Sequence, residues 1–171
     1  MTPTSPESAE TPVWRAELEA ITGARAFGQF NQLLPRLKIL DERYPNVAEI
    51  IFQIAWTCET LGRHTEALPA YEKAIALGLP PHELSGAYLG LGNTLRALGQ
   101  VGKAAHILRT GKLQFPDNRE FDAFLSLALH DQGHTAEALK LALETLCDTT
   151  SDPGLTAYGR ALRHQLGKLP T

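Results

Sequence analysis

Four glycines, Gly28, Gly62, Gly99 and Gly133, lie 34, 37 and 34 residues apart, and no other property of the chain restricts its fold as strongly. They stand in related runs: AFGQFNQL at 26–33, TLGRHTEA at 60–67, ALGQVGKA at 97–104 and DQGHTAEA at 131–138. A fixed period of this size indicates stacked copies of one small unit, none of which can bury its apolar face alone. Reading the 37 as 34 plus a three-residue insert, with the glycine at position 15, gives units 14–47, 48–81, 85–118 and 119–152, with His82 to Leu84 as the insert. Residues 1–13 are then a flexible N-terminal tail rich in Pro, Thr, Ser and Glu, and 153–169 a capping helix that carries Gly167 at the same position 15.

Other positions repeat with the glycine. Position 20 is Leu33, Ala67, Ala104 and Ala138; position 7 is Ala20, Ile54, Leu91 and Leu125; position 24 is Leu37, Tyr71, Leu108 and Ala142. Position 8 is small in three units, as Ala55, Gly92 and Ser126, and is Ile21 in the first. Apolar residues at three- and four-residue spacing predict a helix on each side of every glycine. In the third unit the first helix buries Tyr88, Leu91, Leu95 and Leu98, and the second buries Ala104, Ile107 and Leu108. The glycine takes positive φ and stops the first helix. Small residues at 8 and 20 allow close approach, and proline near position 32 (Pro45, Pro80, Pro116) ends the second helix. Pro35 and Pro69 both fall at position 22, early in the second helix, where a lost N–H bond costs least. Composition agrees: Leu (27) and Ala (22) far exceed Ile (7) and Val (3), which favours helices over a β-sandwich or barrel.

This pattern resembles the tetratricopeptide repeat (TPR) family, with AYLGLGNTLRALGQ (87–100) and FPDNREF (115–121) nearest to it. The resemblance implies an all-α, right-handed α-solenoid of about four helix-turn-helix units plus a C-terminal capping helix, similar to compact bacterial TPR domains. Position 4 departs from the family, since Glu17 and Asp122 replace the usual bulky residue in the outer units. The resemblance also implies a concave face lined by positions 2, 5, 9, 12 and 13 of each first helix. Positions 5 and 9 are Leu18 and Thr22, Phe52 and Trp56, Leu89 and Asn93, Ala123 and Leu127. Positions 2 and 12 are Arg15 and Arg25, Glu49 and Glu59, Gly86 and Arg96, Glu120 and His130.

An apolar floor with a mixed-charge rim suits a docked peptide or helix. The candidate groove residues are Leu18, Phe52, Trp56, Leu89, Asn93, Arg96, Leu127 and His130. The alternative is that these side chains pack between the protein's own helices, with Asn93 an amide internal to the scaffold. Family members that clamp a C-terminal carboxylate use Lys, Arg and Asn at set positions of successive units. The corresponding residues from the second unit, Phe52, Trp56, Gly90, Glu120 and Phe124, include no cation, so a carboxylate clamp is rejected.

The expected function is therefore a non-catalytic interaction scaffold for a protein or peptide partner, with homo-oligomerisation through the groove or the end repeats as the alternative. No phosphate loop, GxSxG or zinc signature occurs, and neither a cofactor nor a metal is expected. His130 and His134 are four apart, but Gly133 interrupts the helix between them. Cys58, at a buried position, reads as a small core hydrophobe rather than a nucleophile. A net charge of −3, and lysines 103, 112 and 140 without interleaved aromatics, argue against nucleic acid. No run approaches about eighteen apolar residues, so no membrane span is expected. The N-terminus lacks the basic and apolar regions of a secretory signal, and the two cysteines form no CxxC pair, so a reduced cytoplasmic setting is expected.

Overall fold

The computed structural model describes residues 12–23 and 28–169. Most of the expected tail, residues 1–11, and Arg25 of the expected rim lie outside the described residues. The described residues form helices α1 (Val13–Thr22), α2 (Phe30–Arg43), α3 (Ala48–Thr60), α4 (His64–Leu77), α5 (Pro81–Ala97), α6 (Val101–Gln114), α7 (Glu120–Asp131), α8 (Thr135–Thr149) and α9 (Pro153–Leu166). Each helix packs on the next, and α3, α5 and α7 also touch one another in series. This is the all-α solenoid that the resemblance implies, with α9 packed on α8.

The four glycines all take positive φ, between 70° and 86°. Three of the turns share one hydrogen-bond pattern: Arg63 N–H donates to Cys58 O at 2.8 Å, Gln100 to Leu95 at 2.9 Å and His134 to Leu129 at 2.9 Å. Such a bond satisfies carbonyls left over at the helix end and needs a left-handed residue, which glycine adopts without a Cβ penalty. Gly167 differs from its expectation, because it has φ −66° and ends α9 without the left-handed turn.

Position 20 is buried in every unit, as Leu33, Ala67, Ala104 and Ala138. At position 8, a Cβ on Gly92 would lie 2.6 Å from Cγ of Leu108, so the leucine uses the space that the glycine leaves. The three inserted residues, His82 to Leu84, lengthen a helix. They form the first turn of α5, begun by Pro81 at a position where the missing N–H is tolerated. Pro35 and Pro69 each stand sixth in a 14-residue helix, just past its first turn. Each removes one bond to the carbonyl four residues back, on Asn31 or Thr65, and both of those residues are exposed to water.

The outer units replace an apolar contact at position 4 with ion pairs. Glu17 Oε2 meets Arg43 Nη1 at 2.5 Å, and Tyr44 Oη donates to Glu17 Oε1 at 2.9 Å. Asp122 is buried and receives Lys112 Nζ on Oδ1 and Arg119 Nη1 on Oδ2, the latter at 3.3 Å. Arg119 also reaches Asp148 at 3.5 Å, and Asp148 accepts from Arg163 at 2.8 Å. A line of charge thus ties α6 through α7 and α8 to α9.

The buried side chains fall into two clusters. The larger spans α2 to α8, and the smaller joins Leu18 and Ile21 of α1 to Leu33, Leu37 and Leu40 of α2 and Ile50 of α3. Ile54 packs against both.

Candidate peptide groove

The side of α3 that carries Phe52, Trp56 and Glu59 repeats at four and three residues, so these three share one helix face. Phe52 and Trp56 stack with ring centroids 6.3 Å apart and planes 23° from parallel. Tyr71 comes up from α4 beneath them, its ring 6.2 Å from that of Phe52. Facing them across the junction are Gly86, Leu89, Gly90 and Asn93 of α5, and Phe124 of α7 closes the far side. Together they enclose a concavity of about 290 Å³.

Two glycines let the rings of Tyr71 and Phe52 come up against the backbone of α5. A Cβ on Gly90 would lie 2.8 Å from Cε1 of Tyr71 and closer still to its hydroxyl. A Cβ on Gly86 would lie 3.2 Å from Cζ of Phe52. With no side chain at 90, the Tyr71 hydroxyl passes under α5 and donates to Glu59 Oε2. Asn93 Nδ2 donates to Glu59 Oε1 at 2.7 Å. Glu59 therefore receives two neutral donors, and among the described residues no Lys, Arg or His pairs with it.

Phe52, Trp56, Leu89 and Asn93, named from sequence, all line this one concavity, with different roles. Trp56 is 43% exposed. Phe52 is only 7% exposed, because Tyr71 and the bare backbone at Gly86 close over it, so it is a wall and not an anchor. Leu89 is half-buried. The amide nitrogen of Asn93 is engaged within the scaffold by Glu59, as in the alternative considered for it. Leu18 does not face the groove. Trp14, Leu18 and Ile21 are the apolar stripe of a short helix, and that stripe is buried against α2 and α3, leaving Leu18 6% exposed. Arg96 is not free at the rim, since its Nη1 donates to Asp131 Oδ2 at 2.8 Å. Leu127 is 45% exposed and His130 is exposed, both further along α7.

Sequence reasoning misses Tyr71 as part of the groove and names Gly90 and Phe124 only at the positions of the rejected carboxylate clamp. Tyr71 reads from the period only as a core position of a second helix, and its link to Glu59 exists only because residue 90, nineteen places on, lacks a side chain. Cys58, on the opposite side of α3, is buried, and burial pushes its thiol above the ordinary value. Among the described residues no group of three or more His, Cys, Asp or Glu is placed to hold a metal ion, and no helix is long and apolar enough to cross a membrane.

At the rim, Arg15 Nη2 meets Glu49 Oε1 at 3.0 Å. Glu83, in the first turn of α5, is raised above its ordinary 4.5, chiefly by burial and further by Glu49, against the opposing pull of His82 and Arg15. A carboxyl raised by folding binds its proton more tightly in the native state, so it lowers stability as pH climbs past its unfolded value. Glu83→Gln is expected to raise the thermal midpoint at pH 7 and to leave it unchanged near pH 3, where both states are protonated. Melting curves at the two pH values check this.

A family described as Tetratrico peptide repeat matches residues 48–166. No curated protein matches the sequence. Among solved structures, MamA 41-end from Desulfovibrio magneticus RS-1 is 17% identical with a TM-score of 0.69, over 92% of this chain and 90% of that one. TTC0263, described as a thermophilic TPR protein in Thermus thermophilus, is 18% identical with a TM-score of 0.68, over 90% and 86%. YrrB, described as a TPR protein with an unusual peptide-binding site, is 15% identical with a TM-score of 0.64, over 92% and 88%. At these identities the likeness is one of fold.

Proposed function

The chain belongs to the tetratricopeptide repeat family, whose members mediate protein–protein interaction, and on that premise we propose that it is a non-catalytic scaffold holding a peptide or helix of a partner against the inner face around Trp56. One observation carries the reading. A large aromatic side chain, 43% exposed, stands at the mouth of a mostly apolar concavity between α3, α5 and α7. Tryptophan in such a setting is a frequent source of binding energy, and an apolar floor with a polar rim suits peptide docking. Leu89 and Leu127 extend the floor along α5 and α7.

The test is selection of ligands from a random peptide library displayed against the wild-type protein, followed by affinity measurement on Trp56→Ala. Trp56→Ala is expected to cost about 1 kcal/mol of stability, leaving the helical circular dichroism intact. It is expected to weaken the selected peptides by about 30-fold or more. Equal binding by wild type and variant would remove the groove from the reading.

Self-association is the second reading, and it too has its own observation. Leu139, Leu146, Leu155 and Tyr158 are exposed on α8 and α9, the last two helices described, where a second copy could cover them. Light scattering over a wide concentration range distinguishes the two, because a constant monomer mass excludes this one.

A further inference from the structure

We propose that the concavity at Trp56 selects a basic side chain, a lysine or arginine, set among apolar residues of the partner peptide. This rests on the peptide-groove reading and specifies its chemistry. The acidic side chains of the inner face are not equivalent. Glu49 is neutralised by Arg15 at 3.0 Å, and Asp131 by Arg96 at 2.8 Å. Glu59 stands between those pairs and lines the concavity itself, yet its partners are the neutral donors Tyr71 and Asn93. Those two bonds hold the carboxylate in place and leave its charge uncancelled among the described residues.

The surroundings of that charge favour a cation on a long apolar stem. Phe52, Trp56, Tyr71 and Phe124 line the same space, and aromatic rings attract cations through their negative faces. A lysine or arginine stem is apolar and can lie along Trp56 and Leu89 while the head reaches Glu59. An acidic or C-terminal carboxylate ligand would meet Glu59 with like charge, and among the described residues no cation lines the concavity to receive it. Charge complementarity thus commits the occupant to a basic residue, with Leu127 offering an apolar contact for its flanks.

The same random-peptide selection, run on wild type, Glu59→Gln and Trp56→Ala, tests the proposal. The substituted glutamine keeps the shape of the side chain and one carbonyl to accept from Tyr71 or Asn93; it loses the charge and the second accepting oxygen, and its NH2 can instead donate to the hydroxyl of Tyr71 or the amide oxygen of Asn93. The expected result is that wild type enriches peptides with a basic residue between apolar ones, and that Glu59→Gln loses the basic preference. In an enriched peptide, replacing that residue by norleucine is expected to weaken binding to wild type about tenfold and to leave binding to Glu59→Gln unchanged.

If Trp56-dependent peptides emerge without a basic residue, or bind Glu59→Gln equally well, the cation proposal is overturned and the groove reading stands. If no peptide depends on Trp56, both fail. Circular dichroism of each variant guards against misfolding, and Trp56→Gln replaces the alanine variant should that one unfold. Separate selection counts for lysine and arginine distinguish a point charge from a planar, two-pronged donor.

Discussion

Gly111→Ala is expected to lower the thermal midpoint by about 6 °C, whereas Gly102→Ala, in the same helix, is expected to raise it slightly. On helix propensity alone both changes should stabilise, since glycine inside a helix costs roughly 0.5–1 kcal/mol relative to alanine. Packing reverses the sign at one of them. A Cβ at 111 would lie 2.6 Å from Cζ of Phe121 and closer to Cε1. Phe121 is fully buried and stacked on Phe115, with centroids 6.3 Å apart and planes 9° from parallel. The ring has no flexible end to swing aside, so α6 and α7 must separate. Overpacking of this kind costs about 1–3 kcal/mol. Taking the upper end and subtracting the propensity gain leaves about 2 kcal/mol, and a chain of this size loses about 2–4 °C per kcal/mol. At Gly102 the only neighbour among the described residues is the end of the Gln132 side chain, 3.9 Å away. The double variant Gly111→Ala/Phe121→Leu should be less damaged than the sum of its single changes, because the smaller side chain releases the clash. Strict additivity would show that the contact is not the cause.

The second large effect concerns Asp122 and has an unusual sign. Removing both of its cations, as Lys112→Met with Arg119→Met, is expected to cost about 3 kcal/mol, because an unpaired carboxylate is left buried. Removing the carboxylate itself, as Asp122→Leu, is expected to be neutral or stabilising, since a leucine there packs the helix pair as a bulky residue does elsewhere in the family. Urea denaturation of the three proteins decides the matter. If the double variant is as stable as wild type, the buried charge is being satisfied in some other way. If Asp122→Leu unfolds the chain, the ion pairs contribute more than the packing they displace.

What could be read from the sequence follows from how local each requirement is. A left-handed residue at a turn is a demand on one backbone position, so Gly28, Gly62, Gly99 and Gly133 announced the hairpins directly. Close helix approach needs a small residue at one place, and Ala67, Ala104 and Ala138 supplied it. The helix start at Pro81 was less legible, because a three-residue excess looks the same on paper whether it lengthens a loop or a helix. Leu18 was misplaced because the positional map of the family assumes a unit flanked on both sides, and among the described residues α1 has helices on one side only. Glu17 and Asp122 looked like defects in the pattern. Their partners lie elsewhere in the fold, Arg43 and Tyr44 for one and Lys112 for the other, and only folding brings them together. The groove was half legible: Phe52, Trp56, Leu89 and Asn93 follow from the positions that the family resemblance assigns to the concave face, but the path from Tyr71 to Glu59 beneath Gly90 is a three-body arrangement with no linear signature.

The division of the buried side chains into two clusters, joined through Ile54, bears on how the molecule comes apart. Contacts in the array run only between near neighbours, so nothing obliges both clusters to open in one event. The pair α1–α2 can melt away from the rest while α3 to α7 hold. A single denaturation midpoint would then average two partly independent transitions, and the free energy drawn from it would belong to neither. The concavity at Trp56 lies on the side of the larger cluster, so a ligand seated there would protect the centre of the array and leave its N-terminal pair to breathe.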